Sequence, residues 1–360
     1  MEIVIVGGGV MGLLSALVLV QAKCKVTILE KNAGALESSW AGGGIVSPMY
    51  PWRYPSAITA LAQWAQAEYP RLAQQLLAMT GINIELNTCG MLMLDAEDQR
   101  DALVWGKHYQ QQVMPLSSTQ IHELSPLLAP FSTGLWLPHI ANVRNPRLLQ
   151  ALASAVDVLG VQRINHAEVV CWHTHHDYVT ALETHDGKKY AADAFVMTAG
   201  AWTGKLLASL NASLAMSVKP IKGQMILYKL PKQVLAQIVL HRGHYLIPRQ
   251  DGHILCGSTL EDTGFEKQTT DEAMQLLTTS AERILPLLAN ESPIRHWAGL
   301  RPASPNGIPY IGRMPQFKNV WINAGQFRNG LVLAPASATL LADLILAREP
   351  FVNPEPYQVL

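Results

Sequence analysis

Little in this chain speaks of charge: its 360 residues carry 27 basic and 27 acidic side chains, for a formal net charge of zero. That balance leaves no electrostatic footprint for nucleic acid or for an anionic membrane surface, so the expected partner is a small molecule. Cysteine is scarce too. Cys24, Cys89, Cys171 and Cys256 are far apart and mostly set among apolar neighbours, which argues against a zinc site or a disulfide framework and suits four reduced, core-type thiols in the cytoplasm. No apolar run reaches the roughly twenty residues a bilayer span requires, so a soluble protein is expected. The N-terminal apolar segment holds a glycine turn within it, unlike a secretory signal. The sequence shows neither an internal repeat nor a low-complexity tract, against a solenoid or a disordered tail.

What the chain does have is concentrated in its first thirty residues. Glu2-Ile3-Val4-Ile5-Val6 runs into Gly7-Gly8-Gly9-Val10-Met11-Gly12 and on into Leu13 to Val20, which reads as strand, glycine turn and helix. A second apolar strand, Lys25 to Leu29, ends in Glu30, about twenty residues beyond the glycines, as in a dinucleotide-binding unit. Each position has its reason. Gly7 permits the tight turn, Gly9 lets backbone approach a pyrophosphate, and Gly12 lets the helix pack closely on the sheet. The helix start offers free N–H groups to phosphate, and Glu30 can accept bonds from an adenosine ribose while repelling a phosphorylated one.

The length predicts two domains. Ala57 to Met79 has helical spacing through Leu61, Trp64, Ala65, Tyr69 and Leu72; beyond Gly81 come short strands such as Gly90 to Asp95, then a polar helical stretch through Ala96 to Gln112. Pro146 to Leu159 reads as a helix capped by Asn145. Asp186-Gly187 marks a hairpin, and the strand Ala194 to Thr198 meets a small-residue turn at Ala199-Gly200-Ala201-Trp202. Strands are expected at Gln224 to Lys229, Tyr245 to Pro248 and His253 to Cys256, then a helix over Asp271 to Leu288. Val320 to Gly325 again reads as strand and glycine turn, leading into a helix over Ala334 to Leu346. The nucleotide domain is therefore discontinuous, interrupted by pieces of a second domain.

Several of these landmarks together resemble the D-amino acid oxidase family of flavoproteins, most closely its glycine oxidase and sarcosine oxidase branch. They are the glycine turn with Glu30, Ser38-Ser39-Trp40-Ala41-Gly42-Gly43-Gly44, Thr198 to Trp202, Pro220-Ile221-Lys222-Gly223-Gln224, Gly299-Leu300-Arg301-Pro302, and Gly325 through Gly330. The resemblance covers essentially the whole chain. It implies an α/β fold: a discontinuous Rossmann-like FAD-binding domain over residues 1–85, 141–218 and 298–360, and a second α+β substrate domain on a mixed antiparallel sheet over 86–140 and 219–297. It further implies FAD-dependent oxidation of a small amino acid, imine hydrolysis, and transfer of electrons to oxygen as hydrogen peroxide. A thiamine-pathway role and a homo-oligomer are features of the family.

The resemblance assigns roles residue by residue. Arg301, in Gly-x-Arg-Pro, pairs with the substrate carboxylate, for which a guanidinium fork is well shaped; Tyr245 touches the same carboxylate. Arg328 guards the pocket mouth or holds the flavin edge, and Leu260 and Gly44 face the substrate. The FAD contacts it implies are Gly7, Gly9, Val10, Met11, Gly12, Glu30, Lys31, Ser38, Ser39, Gly42, Gly43, Gly44, Val169, Ala199, Gly200, Trp202, Arg301, Arg328, Asn329, Gly330 and Leu331. The glycine oxidase pattern Gly-His-Tyr-Arg-Asn-Gly reads Gly325-Gln326-Phe327-Arg328-Asn329-Gly330 here, so an imidazole and a phenol are missing.

Two other readings of the sequence stand beside an oxidase: a D-amino acid dehydrogenase passing electrons to a quinone, and a flavin-binding subunit of a larger complex. His173, His175, His176 and Asp177 form the one metal-like cluster. His173 and His175 share a strand face without a further apparent ligand, so no metal is expected. Trp52, Arg53 and Tyr54 lie between Pro51 and Pro55 in a rigid loop near the flavin segment and read as aromatic packing, with a lid as the alternative.

Overall fold

The Glu2–Val6 strand is buried along all but its first residue because it lies in the middle of a sheet, between Lys25–Leu29 and Ala194–Met197, both parallel to it. A computed structural model describes residues 1–34, 36–210 and 216–359, the side chain at 210 excepted. Its first sheet has six strands in the order Tyr310–Arg313, Val320–Ala324, Ala194–Met197, Glu2–Val6, Lys25–Leu29, Gln162–Ile164. Only Tyr310–Arg313 runs antiparallel to its neighbour. Both faces are covered, which is why the central strands read as continuous apolar runs rather than alternating ones. The helices Val10–Gln21, Ser56–Thr80, Asn145–Val158 and Gly330–Ile345 bury one face. A three-stranded antiparallel sheet, Val169–His175, Tyr178–Thr184 and Lys189–Ala191, lies against the other.

The second sheet has eight strands: Arg295–Ala303, Lys219–Lys229, His253–Gly257, His244–Pro248, Ile238–His241, Met91–Leu94, Thr133–Leu137 and Met114–Ser117. All its pairs are antiparallel except Ile238–His241 with Met91–Leu94. The Asp271–Ile284 helix packs on one face, and a second apolar cluster that includes Met49, Met225, Tyr245 and Ile247 occupies the other. The Arg295–Ala303 strand pairs along its whole length with Lys219–Lys229, so the boundary expected between 297 and 298 falls inside one strand.

Three local expectations need correction. Asn145 is the first residue of its helix rather than its cap, and its amide reaches across to the Ser39 carbonyl at 2.8 Å. The last long helix starts at Gly330, four residues ahead of Ala334, with Pro335 inside it. Proline has no N–H to give the carbonyl four residues back, and here the Tyr69 hydroxyl donates to that Leu331 carbonyl at 2.6 Å instead. Cys171 is exposed, unlike Cys24 and Cys256, which are buried; all four thiols are unbridged.

Candidate active site

One long cavity of about 490 Å³ runs from the glycine turn of the six-stranded sheet to the face of the eight-stranded one. At the first end the backbone is bare by necessity. A Cβ on Gly7, whose φ is +108°, would stand 2.5 Å from the Thr198 carbonyl oxygen, so only glycine makes this turn. The Gly8 N–H donates to Glu30 Oε2 at 2.7 Å and the Asn32 N–H to Oε1 at 2.9 Å, which fixes the carboxylate at the strand end with lone pairs left for a ligand. The Val10 N–H donates to Ser39 Oγ at 3.0 Å, tying the Ser38–Ala41 helix to the glycine turn. Lys31 Nζ sits 3.3 Å from the centre of the Trp202 ring, and burial lowers its pKa below the usual lysine value.

Midway, Gly42, Gly43 and Gly44 form a wall of backbone. A Cβ on Gly43 would lie 2.6 Å from Ile247 Cδ1 and 3.2 Å from the Tyr245 ring, so this segment presses directly on the eight-stranded sheet. At the far end Tyr245, Ser258, Arg301, Met49 and Arg328 line the cavity. Arg301 Nη2 donates to Ser258 Oγ at 2.6 Å, and Nη1 donates to the carbonyls of Thr259 at 3.1 Å and Lys222 at 3.3 Å. These partners are all neutral. Burial pushes the Arg301 pKa down, with Arg328 adding to the effect. Gly223 stands opposite Gly299 in the sheet, and a side chain there would collide with the Arg301 guanidinium. Tyr245 is 7% exposed, with its hydroxyl 3.8 Å from Met225 Sδ.

Nearly all of the expected site residues line this one cavity: Gly7, Gly9, Val10, Met11, Glu30, Lys31, Ser38, Ser39, Gly42, Gly43, Gly44, Val169, Ala199, Gly200, Trp202, Tyr245, Arg301, Arg328, Gly330 and Leu331. Three do not. Gly12 packs against the Gly7 carbonyl and Thr198 Oγ1 and serves the helix contact. Asn329 is buried, with its N–H donating to the Gln326 carbonyl. Leu260 is 58% exposed and is not among the residues that line the cavity, contrary to its assignment to the substrate pocket. Gln326 lines the cavity and donates to Asn323 Oδ1 at 2.6 Å. Phe327 holds a φ of +47°, a conformation that costs a bulky side chain energy. Sequence reading missed Ser258, Met49 and Arg249; Ser258, beside Gly257-Ser258-Thr259, had no signal beyond its position after a strand.

The metal-like cluster is built differently from the expectation. His173 meets Glu183 at 2.7 Å and Cys171 stands beside them, while His175 packs on His176. Lys189 already sits 3.7 Å from the same Glu183 oxygen, so this exposed strand face is satisfied as an ion-paired surface.

A glycine-turn strand and helix, an acid at the second strand end and a half-buried arginine at the far end of the same cavity define an oxidoreductase built around a dinucleotide. Residues 2–344 match the family described as DAO, FAD dependent oxidoreductase, and the chain belongs to it. It is a flavoenzyme whose cofactor is FAD, and the residues present fit that group: Glu30, held by two N–H groups, stands at one end of the cavity and the backbone of Gly42, Gly43 and Gly44 walls its middle. The chain is similar to the glycine oxidase of Pseudomonas aeruginosa, at 48% identity over 99% of this chain and 98% of that one. It is 45% identical to the glycine oxidase of Pseudomonas putida over 99% of this chain and 97% of that one. A crystal structure of glycine oxidase from Geobacillus kaustophilus superimposes with a TM-score of 0.94 at 28% identity, covering 99% of this chain and 98% of that one.

Proposed function

We propose that this protein oxidises glycine or a similarly small amine bearing a carboxylate, such as sarcosine or a D-amino acid, giving the 2-oxo acid, ammonia or amine, and hydrogen peroxide. The observation that carries this reading is Arg301, a half-buried guanidinium lining the cavity whose protein partners are one hydroxyl and two carbonyls. A desolvated charge with no carboxylate bonded to it is complementary to an incoming anion. Ser258 and the two carbonyls hold the fork in place, so its ordering is complete before the substrate arrives. Tyr245, on the neighbouring face, adds a second donor for the same carboxylate. FAD, when bound, supplies the electron acceptor for the substrate's Cα–H bond.

The acids lining the cavity are Glu30, Glu37 and Glu168, all near the glycine-turn end, and no histidine lines it among the described residues. The substrate amine therefore loses its proton to solvent before it reacts, and the chain's part is to bind, orient and exclude water. The division into FAD-binding and substrate-binding parts, a cytoplasmic location and a homo-oligomer belong to the same proposal. The unbridged thiols support the location, and light scattering reads the assembly. Steady-state oxygen uptake with glycine against glycinamide, which lacks the carboxylate, tests the clamp. Turnover of glycine alone is expected; equal turnover of both removes Arg301 from substrate binding.

A further inference from the structure

Arg249 is an arginine with no evident reason to be where it is. It follows the His244–Pro248 strand that carries Tyr245, and it is 4% exposed. Nη1 donates to Asn142 Oδ1 at 2.5 Å and Nη2 to the Gly43 carbonyl at 2.9 Å, while Nε has no partner among the described residues. Glu85 and Asp251, the acids that act on it, both pair with Arg144 instead. Burial pulls its pKa down to about 10. A guanidinium kept out of water without a bonded carboxylate costs stability, and a well-packed apolar side chain of the same length would be tolerated better. Stability does not explain it; its partners do.

The carbonyl it holds belongs to the peptide joining Gly43 to Gly44, in the backbone wall of the cofactor cavity. The N–H of that peptide, on Gly44, has no hydrogen-bond partner among the described residues. A bond to the carbonyl of a peptide polarises the N–H at its other end and strengthens it as a donor. The segment is also fixed from both sides. The Val143 N–H donates to the Gly44 carbonyl at 2.9 Å, and Gly43 lies so close to Ile247 that a Cβ there would stand 2.6 Å from Cδ1.

We propose that Arg249 is a positioning residue for the flavin: it anchors the Gly43–Gly44 peptide and, through it, turns a polarised N–H and a fixed buried positive charge toward the cofactor, favouring the flavin's reduced, negatively charged form. The assignment rests on FAD binding and is independent of which amine is oxidised. Asn142 completes the arrangement by holding the second arm of the fork, and its own amide is anchored on Cys89 Sγ at 3.1 Å.

The test uses purified holoenzyme and sulfite, an anion that adds to oxidised flavin and is favoured by positive charge nearby. Arg249→Met should weaken sulfite binding by about tenfold and lower the flavin midpoint potential by about 30 mV, the equivalent shift for a two-electron couple. Its melting temperature should stay level or rise. A folded Arg249→Met with wild-type sulfite affinity and potential overturns the proposal, whatever its melting temperature. If that variant yields no holoenzyme, Arg249→Lys decides, since an ammonium keeps the charge but not the two-armed grip. Sulfite binding weakened about threefold or more with FAD retained supports the role, and unchanged binding overturns it.

Discussion

Arg301 and Ser258 stand 2.6 Å apart, the guanidinium donating to the hydroxyl at the floor of the cavity. The pair brings together two strands' ends, because Arg301 lies in Arg295–Ala303 and Ser258 follows His253–Gly257. Lys219–Lys229 runs between those strands and supplies the Gly223 gap in which the guanidinium rests. The clamp is thus a product of sheet order.

Replacing Arg301 with Ala removes a charge-assisted pairing of roughly 1.5–3 kcal/mol, so the KM for glycine should rise by about one to two powers of ten. Ser258→Ala leaves the charge and loses only its alignment, costing about 1 kcal/mol or roughly fivefold in KM. Steady-state kinetics on both variants check the order; a larger effect at Ser258 would contradict it.

Gly43→Ala should damage catalysis through a clash with Ile247, since the new Cβ would lie 2.6 Å from Cδ1. Ile247→Val deletes that methyl. The double variant should therefore recover most of the KM and FAD affinity lost by Gly43→Ala alone, which a double-mutant cycle measures as a coupling of about 1 kcal/mol or more. Strict additivity would contradict the contact.

Glu30→Ala strands two backbone N–H groups, those of Gly8 and Asn32. The expected result is a rise of about tenfold or more in the FAD dissociation constant and a loss of about 1–3 kcal/mol in stability of the apoprotein. Flavin fluorescence and thermal melts read the two separately.

Burial lowers the pKa values of His241, His244 and His296, and the charges of Arg242 and Arg328 add to the effect at the first two. With folded values below the unfolded one, the unfolded chain binds more protons in between. Their contribution to stability is flat above about pH 6.5 and declines as pH falls below it. His244→Asn should make the fall in melting temperature below that pH shallower; an unchanged slope would contradict the role of His244.

The glycine turn and Glu30 were legible from local motifs, φ above zero and a strand end, whereas Arg301 and Tyr245 were named through the family resemblance; the fold brings all of them to one cavity. Leu260 was placed by the family resemblance alone; strand periodicity stops at Gly257, and nothing local says which way a loop side chain turns. The early start of the Gly330–Ile345 helix was hidden by Pro335, whose missing bond is replaced by Tyr69, a residue far away in sequence. Arg249 was invisible for the same reason. Its importance lies in a contact with Gly43, and only the folded chain brings the two together.

The most direct test of the central claim is anaerobic mixing of the purified yellow protein with glycine, sarcosine and D-amino acids, followed by admission of air. Bleaching of the flavin by glycine or a similarly small amine, then rapid recovery with one peroxide per flavin, is the predicted result. A flavin that no member of the panel bleaches would contradict the account, and bleaching without recovery in air would replace the oxidase by a dehydrogenase.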